Sequence, residues 1–494
     1  VIHASRTVPE SGTSPVGRLQ FSRLLIAAGL IILLLETVQA AEWRFRPRVG
    51  VAGTYSDNIN ISGTNPQTDF VTDLNAGFSL RGEGPRFFFD TFYNLQYLNY
   101  ARDTDSDRFR NQLRVVGNGE IAEDLFFLDL RGSVRQENIT SRANTADSTI
   151  TVSDNITDTY TFGISPYLVH RFGSFMDGEA RYSYDRVEYS DDRRADSQAN
   201  AILLDLKSGN RFQTVTWNAF YRGYDEKTDF RDVLTSHRGE VAGRYHFNRK
   251  AALVFGTGYE DNDFVTNKTD SLSAVTWLAG LSWTPNSRTV VEAGAQNRFF
   301  GVAPYFNLSY RSRRTALKFR YFEDLTTTNQ STADRPFIPL VDAFGDPVLD
   351  PDTGEAILIP INTVSSTIDL VVVNQTFDGT VAVRGQRTDV GLTLFDQFRN
   401  FQVGPDEEVY GITAFANRRL SRVTTLRLWA RASRHDFDGP TPDRTRWSVG
   451  IGLSRAFSRN FSGSISARHT TQDSKAANLD YDENRVTLSL TKHF

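Results

Sequence analysis

Nine arginines stand out as candidates for chemistry: Arg110, Arg114, Arg131, Arg135, Arg181, Arg320, Arg427, Arg431 and Arg468. Each sits in a stretch where apolar and polar residues alternate, and each falls on the polar parity, with Asp129, Glu179 and Asp185 among them. Guanidinium groups gathered on one surface can attract anions, or hold a transverse field against facing carboxylates. They can equally pair with acids on neighbouring strands and simply fill or wet an interior. The sequence leaves both readings open.

Other chemistry is poorly supported. His237, His435 and His469 lie toward the same end of their strands, but only His435, near Ser433, shares the arginines' parity. They do not converge as a base and nucleophile must, so no enzyme is expected. With no cysteine in 494 residues, disulfide frameworks, thiolate metal sites and lipid attachment at an N-terminal cysteine are excluded. The run from Asp350 to Glu355 contains calcium-loop residue types without EF-hand spacing, and turn chemistry explains it better. Gly50–Gly53 lacks the lysine and following helix of a phosphate loop. No cofactor or metal is expected. A net charge of −4 argues against a nucleic-acid partner.

The elements that must carry these arginines are strands. Period-two alternation is the mark of a strand with one apolar and one polar face. It is clear in Phe70–Leu80, Phe109–Gly117, Phe126–Val134, Leu317–Tyr321, Val390–Leu394 and Trp447–Leu453. Tight turns fall at Gly82–Arg86, Ala122–Asp124, Arg171–Ser174, Ser208–Arg211 and Phe247–Lys250. Five more fall at Pro285–Arg288, Ser312–Arg314, Arg384–Arg387, Leu420–Arg422 and Phe457–Asn460. Longer polar connections alternate with them near 56–68, 101–107, 139–153, 189–196, 225–234, 262–270, 299–302, 329–366, 400–407, 436–444 and 471–481. Ten tight turns and eleven longer loops predict 22 strands within a range of 18–22, with both ends on one side.

The last strand, VTLSLTKHF, places Val486, Leu488, Leu490 and Phe494 on one face and ends on an aromatic. That terminal pattern resembles the signal read by barrel-insertion machinery. Upstream, Arg18 and Arg23 precede the apolar run Leu24–Leu35, followed by Val38-Gln39-Ala40. The order is that of a secretory signal peptide covering 1–40, cut after Ala40 or else Ala41, with 1–17 a possible non-native leader. The apolar run is too short for a spanning helix, which needs about 20 residues.

A secreted chain of hairpins without a spanning helix is most economically an all-β, transmembrane, antiparallel up-and-down barrel over 41–494, with short periplasmic turns and longer extracellular loops. Tyr55, Tyr97, Tyr100, Tyr167, Tyr259, Trp283, Phe457, Phe461 and Phe494 lie near strand ends, where an interfacial girdle is expected. The Pro-rich segment 329–366 breaks the hairpin rhythm; it could fold inward as a constriction, cap the barrel, meet a partner outside or be a plain surface loop. A first strand starting almost at the cleavage site leaves little room for an N-terminal plug, which argues against an energised transporter.

Several segments resemble the outer-membrane barrel family associated with the PEP-CTERM/exosortase sorting system, grouped among β-barrel porins. They are Tyr55–Asn60, Asp69–Asp73, Tyr100–Asp103, Phe127–Asp129, Asp342–Val348 and Glu483–Thr487, so the resemblance spans the mature chain. It implies a bacterial outer-membrane porin or channel encoded near exopolysaccharide genes, surrounded by outer-membrane lipid and lipopolysaccharide. Its implied partners are the barrel-assembly machinery, exopolysaccharide and periplasmic export components. The alternative is a docking barrel with a closed lumen that anchors surface polysaccharide or sorted proteins. The family brings no catalytic or ligand residues.

Overall fold

The computed structural model describes residues 41–494 apart from 103, 106, 230, 231, 270, 334–369 and 477. The expected signal peptide and the Asp350–Glu355 run lie outside the described residues, as does 334–366 of the Pro-rich loop.

Twenty-two strands pair antiparallel, each with the next in sequence. The first seven are β1 (Glu42–Ser56), β2 (Asp69–Gly84), β3 (Phe87–Tyr100), β4 (Arg108–Ala122), β5 (Phe126–Asn138), β6 (Ile156–Phe172) and β7 (Met176–Tyr189). The wall continues through β8 (Ser197–Ser208), β9 (Val215–Thr228), β10 (Asp232–Asn248), β11 (Ala251–Asp263), β12 (Ser273–Asn286), β13 (Thr289–Arg298), β14 (Gly301–Arg311) and β15 (Thr315–Thr327). It finishes with β16 (Val371–Arg384), β17 (Thr388–Phe401), β18 (Glu407–Arg419), β19 (Thr424–Phe437), β20 (Arg444–Ser458), β21 (Phe461–Ser474) and β22 (Tyr481–His493). β1 also pairs with β22, from Arg48 opposite His493 to Ser56 opposite Arg485, and this closes the ring. Among the described residues closure leaves no unpaired sheet edge, the condition hydrocarbon imposes on a β-structure.

All ten tight turns fall where the alternation places them, and so do the eleven other connections, but two of these are shorter than expected. β9 runs on to Thr228 and β10 begins at Asp232, inside the expected 225–234 loop, and only Phe299 and Phe300 separate β13 from β14. Two turns use left-handed backbone: Asp124 has φ 53° and Gly173 φ 62°. Such angles suit glycine, and aspartate more than most residues. The strands run from 10 to 17 residues, enough for a tilted strand to cross a bilayer's apolar layer.

One parity of each strand points out of the ring, and large apolar side chains there are bare: Leu74, Leu281, Val449 and Leu488 are 50%, 58%, 43% and 57% exposed. A soluble protein rarely leaves so extensive an apolar surface uncovered. A single short helix is described, α1 (Thr328–Ala333), at the start of the 329–366 loop. Thr327 caps it by accepting the Gln330 N–H at 2.9 Å.

Candidate functional site

The ring's interior divides along its axis into a turn end and a loop end. All nine predicted arginines, with Asp129, Glu179 and Asp185, lie on the inward parity of their strands, and most pair with a carboxylate. Arg131 reaches Asp185 at 2.6 Å and Arg320 reaches Asp378 at 2.8 Å. Arg181 contacts Asp129 and also Glu179 at 2.7 Å, while Arg114 pairs with Asp90. Arg135 holds Glu137 at 2.6 Å, and Arg110 lies 3.6 Å from Asp158. Arg431 sits over the Phe395 ring, 5.6 Å from its centroid, and Arg427 belongs to the same face of β19.

Arg131 and Asp185 meet across an intervening strand, because Gly163 of β6 lies between them. A Cβ there would collide with both side chains. In this part of the lumen the pairs stay solvated, with the Arg131 and Arg320 side chains 44% and 47% exposed.

The loop end is built differently. Residues 139–155, between β5 and β6, turn inward and cross to a wall nearly half the ring away. Ser141 donates to Glu407 of β18 at 2.9 Å. Arg444 of β20 donates to the carbonyls of Ser141 and Ala143. Asp147 receives Arg446 of β20 at 2.6 Å and contacts Arg468 of β21, with Arg485 of β22 at 4.0 Å. Ile150 and Val152 pack into an apolar seat of Ile59, Val71, Leu98 and Tyr100, and Tyr100 donates its hydroxyl to the Ile150 carbonyl.

Two further excursions complete the cap. Helix α1 reaches β5 and β7, where Arg135 donates to Thr332 O at 3.1 Å and Tyr189 to Asn329 Oδ1 at 2.8 Å. Lys268, between β11 and β12, pairs with Asp406 beside β18 at 2.8 Å. Here the ion pairs are buried: Arg399 with Glu407, Arg298 with Glu260 and Arg485 with Glu483 are each 5% exposed or less. Between α1 and the wall lies a cavity of about 410 Å³, lined by Phe220, Arg222, Tyr224, Arg238 and Asp324 among others.

Several expectations need correction or extension. Tyr100 and Tyr167 are not girdle residues: Tyr100 is 1% exposed beneath the cap, and Tyr167 faces inward under the Arg181 guanidinium at 3.7 Å. Asp90, Asn94 and Gln96 share Tyr100's parity and Tyr97 lies on the other, so the alternation of β3 itself points Tyr100 inward. Arg399, Arg444, Arg446 and Arg485, which carry the cap, are absent from the predicted set. Their inward parity was the available signal, since Arg444 and Arg446 alternate with Thr445 and the outward Trp447.

Among the histidines, His435 lies inward on β19, whereas His237 hydrogen-bonds Tyr221 and His469 hydrogen-bonds Asn484 on the outer face. Among the described residues no group of three or more His, Asp or Glu side chains could hold a metal. On β22, Val486, Leu488 and Leu490 point outward, 45%, 57% and 37% exposed, and Phe494, just past the strand, is 65% exposed. The Phe494 amide is tied to the Pro47 carbonyl at 3.0 Å.

Against known proteins, residues 388–494 match the family described as "Putative beta-barrel porin 2". That segment is β17–β22, the stretch supplying most of the cap's arginines. The match is narrower than the whole-chain resemblance expected from sequence, and it carries no PEP-CTERM association. No curated protein matches. Among solved structures, two mutant forms of the ferric enterobactin receptor PfeA from Pseudomonas aeruginosa give TM-scores of 0.52 and 0.51, each at 9% identity. They cover 92% and 91% of this chain and 81% and 80% of theirs. The ferric-catecholate import receptor Fiu from E. coli K12, in its open form, gives 0.50 at 9% identity, covering 90% of this chain and 81% of its own. At that identity the likeness is of fold alone: the chain is a closed 22-stranded antiparallel barrel of the outer-membrane type.

Proposed function

We propose that this protein is a channel of the bacterial outer membrane that passes small hydrophilic solutes and is shut at its outer mouth by the 139–155 loop. The observation that carries the reading is the contrast between an outward apolar belt and a solvated, ion-paired lumen inside a closed ring. The porin-family match over β17–β22 supports it. In this reading the turns face the periplasm, lipid and lipopolysaccharide surround the belt, and the assembly machinery reads Val486, Leu488, Leu490 and Phe494. No catalysis is assigned.

The extent of the cap favours a second reading, a docking barrel whose lumen stays closed while its loops hold surface polysaccharide or sorted proteins. The resemblance to PEP-CTERM-associated barrels makes exopolysaccharide and its export components candidate partners. Swelling of proteoliposomes in isotonic sugar separates the two. A channel admits small sugars, faster once residues 141–152 are replaced by a short Gly-Ser linker. Proteoliposomes that stay impermeable with both proteins would refute the channel.

A further inference from the structure

The wall that receives the loop carries an unusual placement of like charges. Arg468 on β21 and Arg485 on β22 are directly opposite in the antiparallel register. Like charges so placed destabilise a strand pair unless an anion lies between them. Arg446 on β20, opposite Gln472 rather than Arg468 in the register, adds a third guanidinium through the same Asp147 carboxylate. Within the wall, Glu483 lies 2.7 Å from Arg485. Among the described residues, Asp147 is the carboxylate in contact with Arg446 and Arg468, and it comes from a loop that must move if the mouth opens.

We infer that Arg446, Arg468 and Arg485 form an anion-binding site for a carboxylate-bearing sugar, and that Asp147 occupies it in the closed barrel as an internal surrogate. Three convergent guanidiniums recognise a carboxylate through charge-assisted hydrogen bonds, which are about twice as strong as neutral ones. The Trp429 ring lies 5.4 Å from the Arg468 guanidinium and rests against Gly450, where a Cβ would collide with it. An aromatic beside the charges offers an apolar face to a sugar ring. A solute carboxylate and the Asp147 carboxylate then compete for the same donors, so arrival of the ligand and release of the loop are one event. The inference deepens the channel reading and rests on it only for the route by which the solute arrives.

Calorimetric titration of sodium glucuronate into the full-length barrel in detergent micelles tests this without any need for conduction. D147N, which empties the site of its competing charge, should bind glucuronate about tenfold more tightly than wild type, a change worth about 1.4 kcal/mol. D147N/R468Q/R485Q should lose that binding, and glucose should bind none of the three. Should D147N fail to fold, judged by heat-modifiable electrophoretic migration, Ile150→Ala serves instead. It loosens the loop from its apolar seat, leaves the arginines intact, and should tighten glucuronate binding several-fold. Equal affinity in wild type and the folded variant, or binding retained after R468Q/R485Q, would overturn the site. A barrel that binds glucuronate as expected yet never admits solute would support the site and refute the channel.

Discussion

The two ends of the lumen use the same residue types for different work. Toward the turns, Arg320–Asp378 and Arg131–Asp185 lie along a solvent-accessible wall, with the arginine side chains nearly half exposed. At the loop end, Arg298–Glu260 and Arg399–Glu407 are packed away from water. Solvated pairs contribute about 0–1 kcal/mol each, because water screens them and their long side chains lose freedom. A buried pair that loses one partner leaves an uncompensated charge, at a cost of about 3–5 kcal/mol. An arginine count therefore says little about this barrel until the burial of each arginine is known. At one end they line a solvated interior, and at the other they fasten inward-turned loops to the wall.

The comparison can be broken most forcefully at Glu260, which accepts both Arg298 Nε at 2.9 Å and the Phe299 amide at 2.6 Å. Glu260→Ala should lower the urea midpoint of the micellar barrel by an amount equivalent to about 3–5 kcal/mol. An effect below about 1 kcal/mol would place that pair with the solvated ones.

Next comes the apolar seat. Ile150→Ala removes buried methyl groups against Leu98 and Tyr100, for a cost of up to about 2–5 kcal/mol of cap stability. Amide exchange should speed up in 139–155 and in the Ile59 loop, while β8–β14 is unaffected. Uniform change around the ring would contradict a local cap. Gly163→Val is expected to force Arg131 and Asp185 apart, costing about 1–3 kcal/mol through overpacking. Urea unfolding checks it.

Arg320→Ala should change stability by less than about 1 kcal/mol, yet shift the reversal potential of any conducting barrel toward cations. A shift toward anions would reverse the assignment of that wall.

The smallest effect concerns pH at the lip. Asp107, outside the strands, accepts hydrogen bonds from Tyr97 at 2.7 Å and from Asn99, and these hold its carboxyl below the usual carboxylate range. A depressed value means its contribution is complete above the unfolded carboxylate's pKa and is lost as pH falls through the folded one. Exchange at the Tyr100 amide, which also donates to Asp107, should rise only in strong acid.

The barrel itself was legible in the residues. Alternation in stretches such as Trp447–Leu453 oriented each strand, and the polar breaks between them gave every turn and loop. The cap was not. Segment 139–153 reads as a polar connection, and nothing local says that it turns inward, because its partners Arg444, Arg446, Arg468 and Arg485 lie some 300 residues away in sequence. Strand parity fixes which way a side chain on the wall points, but a loop has no parity. The prolines mark the 329–366 loop instead, and its described part, α1, also turns inward.

Single-channel recording in a planar bilayer tests the central claim most directly, by comparing wild type with the protein whose 141–152 segment is replaced by a short linker. The account predicts that wild type is mostly closed with brief openings, and that the shortened barrel shows a large, steady conductance. Equal conductance in the two, or lasting silence from a shortened barrel that still folds, would contradict it.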